Sequence, residues 1–265
     1  MLELTPNEFP RALPLLSRFP QAVLPSAICQ GINPGRVFVD DRVNPHTALL
    51  WTTVGYFLLA GDPGAADDLP AVRQVLTEVF VPASQAGGES SFILIPSEGS
   101  WQAHLPALLP GGEVIEIYRR PFAFDPVKFA TRGDWHSRIP SGMRLQALDA
   151  ALAERAGVKV SWASLDDFLA HGLGFAVLDG DQIASLCFSV FASREKVEIE
   201  VHTHENYRRQ GLAAIAASAL IEACLQRGIQ PNWECFWDIQ PSAALAQQLG
   251  FTPLPDYPVY YWEVV

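Results

Sequence analysis

Val197–Gly228, VEIEVHTHENYRRQGLAAIAASALIEACLQRG, holds the pattern that decides the reading of this chain. Val197, Ile199, Val201 and Thr203 alternate with Glu198, Glu200 and His202. That two-residue period, with β-branched residues on one face, predicts a strand. A polar turn follows, His204 to Gln210. A helix then starts at Gly211–Leu212 and runs through an alanine-rich segment to Gly228, which suits the left-handed position beyond a helix end. Strand, basic glycine turn and helix make a place for an anion. The first backbone N–H groups of a helix lack internal partners and sit at the positive end of its dipole. Arg208 and Arg209 add guanidinium charge suited to phosphate oxygens. Gly211 and the small Ala213 let a phosphate come close to the backbone.

Bulk properties bound the rest. A chain of 265 residues holds one large domain or two ordinary ones. The formal charge of −11 excludes a general nucleic-acid binder and is compatible with a cationic substrate. No apolar run approaches the ~20 residues of a membrane span. The opening MLELTPNEFP lacks a basic start and an apolar stretch, so a cytoplasmic address is expected. Cys29, Cys187, Cys224 and Cys235 show no metal-ligand spacing, so buried free thiols and no metal site are expected.

In order along the chain, Thr5-Pro6-Asn7-Glu8 reads as a capping box opening a helix to about Phe19, with Pro14 able to kink or shorten it. Strands are expected at Arg36–Asp40, Ala48–Thr53 and Tyr56–Ala60, then a helix near Leu69–Val81. A strand at Phe92–Pro96, a helix at Trp101–Leu109 and a long strand at Val114–Phe124 complete the first half. Asp125–Gly142 is polar and turn-rich and reads as a linker. After it come a strand at Arg144–Ala147, short helices at Asp149–Ala156 and Leu165–Ala170, and a hairpin of Phe175–Leu178 with Ile183–Phe191 around Asp179-Gly180-Asp181. The opening strand and helix follow, then a strand at Asn232–Phe236, a helix at Pro241–Leu249 and a terminal strand at Val259–Val264. The same order of elements thus occurs twice, which predicts a domain at 1–124, a linker at 125–142 and a second domain at 143–265. An unrelated α/β cap is the alternative for the first. Where the second half has Arg208-Arg209-Gln210-Gly211, the first has Gly61-Asp62-Pro63-Gly64 followed by Asp67-Asp68, whose carboxylates repel a diphosphate.

Arg208-x-x-Gly211-x-Ala213 resembles the acetyl-CoA pyrophosphate loop of the GNAT family of N-acetyltransferases. Its flanks carry the resemblance further. The element order after the linker is the family's, and Ser242 to Phe251 is similar to its helix-then-Leu-Gly-Phe ending. Val201-His202-Thr203 with Tyr207 to Ala213, then Trp233 and Cys235, then Ser242 with Leu245-Ala246, resemble the zwittermicin A resistance acetyltransferase branch. The resemblance covers about 143–265 well and the first half only in outline. It implies an α/β (α+β) GNAT fold: a mixed central sheet with helices on both faces, preceded by a degenerate GNAT-like domain. It also implies acetyl transfer from acetyl-CoA, as cosubstrate, to the amine of a small molecule. The implied cofactor-binding residues are Val201, His202, Thr203, Arg208, Arg209, Gln210, Gly211, Leu212, Ala213 and Ser242. In such a fold the pantetheine arm lies between the splayed strands at Val201 and at Asn232–Phe236, paired like an added strand. A free N–H there stabilises the developing oxyanion.

The attacking amine must lose a proton. Glu200 and His202 rank first as base, with Glu198 and Glu205 after them. They alternate away from the Val197, Ile199 and Val201 face, unless a bulge reverses the phase. The family's leaving-thiolate tyrosine matches Ala246, and the Asn before the last helix matches Ile239. Those two departures keep open a non-catalytic acyl-CoA sensor or scaffold, and leave Tyr257, Tyr260 and Tyr261 as candidates for the acid.

Overall fold

The computed structural model describes residues 1–19, 23–63, 68–88, 90–97, 99–109 and 113–263. It divides into two compact units, Met1–Arg119 with Tyr257–Val265, and Arg120–Asp256. Among the described residues no helix is long and apolar enough to cross a membrane.

Strands of the first unit are β1 (Leu2–Glu3), β2 (Gly35–Val39), β3 (Thr47–Thr52), β4 (Tyr56–Gly61), β5 (Ser91–Pro96) and the first half of β6 (Val114–Phe124). Strands β1 to β4 pair antiparallel in sequence order and β5 joins β4 in parallel. The second unit holds β7 (Met143–Ala147), β8 (Gly174–Asp179), β9 (Gln182–Ala192), β10 (Lys196–Thr203), β11 (Gln230–Phe236) and β12 (Phe251–Pro253). Its β7 to β10 are again antiparallel in order, and β11 again joins in parallel.

The expected division at 143 differs from the observed one. The last strand, β13 (Tyr257–Glu263), pairs with β5 and with the first half of β6, so it belongs to the first unit. The second half of β6 takes the corresponding place in the second unit, where Phe122–Phe124 pairs with β12. Aromatic packing explains the position of β13. Trp262 is fully buried against Phe92 at 5.3 Å, and Phe92 stacks on Phe57. Such pairs contribute about 0.5–1.5 kcal/mol each beyond area burial.

The stretch expected as a linker is folded. Asp125 caps a helix at Pro126–Ala130, its carboxylate accepting from Val127 N and Lys128 N, with proline at the first helical position. Gly250, at φ +93°, lies so close that a Cβ there would meet Phe129 N at 2.7 Å. The N-terminal helix also differs from expectation. Pro10 and Pro14 divide it into a 3₁₀ stretch at Pro6–Arg11 and one turn at Leu13–Leu16. Gly64 and Asp67, whose charge pattern the sequence singles out, lie outside the described residues, as does Val264.

The helix Leu212–Gln226 is buried along most of its surface, with Ala216, Ala217, Ala219, Leu220 and Ile221 enclosed. Its small side chains let the sheet approach closely. Gly228, at φ +68°, follows its end as expected.

Candidate functional site

Strands β10 and β11 pair only at Lys196↔Gln230, Val197↔Pro231 and Glu198↔Asn232. Beyond that, β10 continues to Thr203 paired with β9 alone, and β11 continues to Phe236. The two strands therefore part after their first turn of pairing. His204 N donates to Ala184 O at 3.0 Å, so the even-numbered peptides of this part of β10 face β9. By alternation the N–H and C=O groups of Ile199, Val201 and Thr203 face the gap on the β11 side. Arg208 Nε donates to Thr203 O at 3.4 Å, which leaves the Val201 peptide as the open edge.

The loop after β10 is held from below. Tyr207 Oη donates to Asp179 Oδ2 and lies 3.1 Å from Gln182 Oε1, both on the β8–β9 turn, and Asp179 raises the tyrosine pKa. Arg209 has φ +61°, the left-handed region, at a cost of about 1–2 kcal/mol for a residue with a Cβ. Gly211, the N-cap, has φ +80° with open space where a Cβ would stand. No side chain caps this helix, and among the described residues nothing accepts from the N–H groups of Arg209 to Ala214. Six consecutive unpaired amides thus stand at a helix N-terminus, with Arg209 among them and the Arg208 guanidinium turned back to Thr203 O. That donor set fits a diphosphate.

Of the sequence-predicted residues, Val201, His202 and Thr203 lie on β10, and Arg208, Arg209, Gln210, Gly211, Leu212 and Ala213 lie on this loop and first turn. Ser242 sits in the Gln240–Gln248 helix, where its hydroxyl accepts from Trp233 Nε1 at 3.1 Å.

The base candidates fall on one face. Cys187, opposite Val201, is buried near Cys224 of the Leu212–Gln226 helix. The apolar side of β10 therefore faces that helix, and Glu198, Glu200 and His202 face the other way. The irregularity in pairing lies on β9, where Val190 is the extra residue, and β10 keeps its phase. This bulge brings Phe188 and Phe191 to the same side as the carboxylates. His202 Nε2 stands 3.0 Å from Glu200 Oε1, with both side chains substantially exposed. Hydrogen bonding to Glu200 raises the His202 pKa, burial opposes it, and the carboxylate charge adds to the rise. Glu198 instead accepts from Asn232 Nδ2. Tyr260 donates to Glu116 and Tyr261 to Glu263, and their strand lies in the first unit. Among the described residues no His, Cys, Asp and Glu group could hold a metal ion.

A profile of the family described as GNAT acetyltransferase matches residues 13–260. This chain belongs to the GNAT acetyltransferase family. The Bacillus subtilis (strain 168) protein YdfB, an uncharacterized N-acetyltransferase, is 30% identical over 234 residues, covering 86% of this chain and 85% of YdfB. A GCN5-related N-acetyltransferase-like protein from Streptococcus suis 89/1591 superposes with TM-score 0.73 at 25% identity, covering 97% and 99% of the two chains. A tandem GNAT protein from the clavulanic acid biosynthesis pathway shares the fold at 12% identity and TM-score 0.56, with 99% and 97% covered. The GNAT chain is thus an acyltransferase, and its mixed sheet with flanking helices is the family's fold.

Sequence reasoning missed three residues near the loop. Arg132, Arg138 and Ser218 border a cavity beside Gly211. The signal was two arginines within the DPVKFATRGDWHSR stretch of an otherwise acidic chain.

Proposed function

We propose that this protein is an acetyl-CoA-dependent N-acetyltransferase that acts on a primary amine of a small cationic molecule. The observation that carries this is the parted β10–β11 edge ending in an uncapped, arginine-flanked helix N-terminus. Acetyl-CoA supplies an acyl group on a thiolate leaving group. The chain's part is to hold and orient. Amides from Arg209 to Ala213 hold the diphosphate, and the open edge at Val201 aligns the extended arm and offers an N–H to developing negative charge. His202, held by Glu200, accepts the proton of the attacking amine. The net charge of −11 favours a cationic acceptor, and the likeness to the zwittermicin A resistance branch makes a polyamino compound the first choice. These substrates put the protein in the cytoplasm.

The first unit, in this reading, is a degenerate second copy of the fold. Both units have four antiparallel strands in sequence order followed by a parallel fifth, which supports a duplication. Asp62, together with Asp67 and Asp68 of the sequence, disfavours a diphosphate in that copy.

The test is thiol release from acetyl-CoA by the purified protein across a panel of mono-, di- and polyamines. Turnover above hydrolysis with at least one amine is expected. Hydrolysis alone across the panel, with CoA still bound, returns the protein to a non-catalytic acyl-CoA sensor.

A further inference from the structure

Beside Gly211 lies a cavity of about 130 Å³, bounded by Arg132, Trp135 and Arg138 and by one face of the Leu212–Gln226 helix. Its floor is Trp135, Ile215 and Ser218, all buried, and its rim includes Arg138, Gln210 and Gln248, all exposed. Two groups in it are anomalous. Ser218 is 1% exposed, yet its Oγ has no hydrogen-bond partner among the described residues. Arg132 Nη1 is equally buried and equally unpartnered. Buried polar groups are nearly always paired, and an orphaned guanidinium N–H is a costly exception. Arg138 stands close by, its Nη2 donating to Arg132 O at 3.2 Å. Burial and the neighbouring Arg138 charge lower the Arg132 pKa. Among the described residues no carboxylate pairs with Arg132 or Arg138, and the nearby Asp134 and Glu222 approach His136 instead, at 3.2 Å and 3.7 Å.

Two cations, an unpaired buried hydroxyl and two side-chain amides line one cavity, and no carboxylate is among its lining residues. The missing partner is an anion with several oxygens, and the volume admits a phosphate. Gly211 borders this cavity and also lies within the row of free amides, so the two sites are contiguous. Ser218 lies roughly 10 Å further along the helix axis, at about 1.5 Å per residue. We propose that this cavity is a second phosphate site, which takes the 3′-phosphomonoester of CoA while the helix N-terminus takes the diphosphate. This rests on the acetyl-CoA reading above. Ser218 donates from the floor, Arg132 donates through its buried Nη1, and Arg138 closes over the phosphate from the rim.

Isothermal titration of the full chain with CoA, with 3′-dephospho-CoA and with inorganic phosphate tests it. Charge-assisted bonds to one buried phosphate correspond to roughly 10- to 100-fold in affinity. Wild-type protein is therefore expected to prefer CoA over dephospho-CoA by that factor, and Arg132→Met and Arg138→Gln to lose the preference while binding dephospho-CoA as wild type does. Arg138→Gln alters an exposed side chain, so it keeps the test alive should Arg132→Met unfold. Equal affinities of wild type for CoA and dephospho-CoA overturn the site, even if free phosphate binds, and leave the acetyltransferase reading standing. A preference that survives in Arg138→Gln and in any folded Arg132→Met protein overturns the assignment to these arginines. No affinity for either nucleotide removes the diphosphate reading and this one together.

Discussion

Gly211→Glu separates backbone strain from ligand binding when it is compared with Gly157→Ala. Both glycines have positive φ, +80° and +68°, and neither would-be Cβ meets another atom within 4 Å. Steric crowding is thus absent at both, and the cost of a Cβ is the left-handed backbone, about 1–2 kcal/mol. For a chain of this size that lowers Tm by roughly 2–8 °C in either variant. Gly157 ends the Ala150–Ala156 helix, away from the loop, whereas Gly211 lies within the row of free amides. Glutamate there adds a negative charge to the proposed diphosphate site, and two charges roughly 5 Å apart set the scale of the repulsion. At an effective dielectric constant of about 20–80 the repulsion is roughly 1–3 kcal/mol per phosphate charge. Each such term weakens CoA binding ~5- to 150-fold. Thermal unfolding with and without CoA, followed by titration calorimetry, provides the assay. Both variants should melt a few degrees lower, Gly157→Ala should keep wild-type CoA affinity, and Gly211→Glu should show no CoA-induced stabilisation. A Gly211→Glu protein that still binds CoA as wild type does would refute the argument that these amides hold the diphosphate.

Two further outcomes follow from the geometry. His202 can accept a proton only when neutral, so kcat/KM should rise with pH through its raised pKa. Glu200→Gln removes the hydrogen-bonded charge, so the acidic limb should move to lower pH and kcat should fall; an unmoved limb excludes His202 as the base. Because the folded pKa is raised, the pair's stabilisation is present at low pH and lost as pH rises through it. At 64% and 43% side-chain exposure that contribution is limited to about 0.2–1 kcal/mol. In the first unit, the fully buried Trp101 donates Nε1–H to Gly61 O at 2.7 Å. Trp101→Phe strands that carbonyl, so unfolding should show a loss of about 1–3 kcal/mol, and an unchanged Tm would show the bond to be idle.

What the sequence made legible was local. The alternation Val197 to Thr203, the basic turn and the alanine-rich helix each carry their period in adjacent residues, and the structure has a strand at Lys196–Thr203 and a helix at Leu212–Gln226 there. Pairing across long sequence separations carries no such signature. Tyr257–Glu263 is aromatic enough to read as a strand, but nothing within it says that its neighbours are Ser91–Pro96 and Val114–Arg119. The Asp125–Gly142 stretch misled for a different reason. Its polar residues are caps and cavity donors: Asp125 and Pro126 start a helix, and Arg132 and Arg138 point charge at a space.

Ser218 shows most directly what the sequence alone cannot decide. In AAIAASALIEA it is one small residue among alanines, and the simplest reading is a helix face packed tightly on a sheet. Alanine fills such a position without a hydroxyl to satisfy, so a serine left buried and unpaired there adds desolvation with no compensating bond. Its helical neighbours Ala217 and Ala219 are buried with no such penalty. Arg132 Nη1 is orphaned across the same cavity, and a single phosphate bound there would accept from both groups, which is the compensating interaction the proposed site supplies.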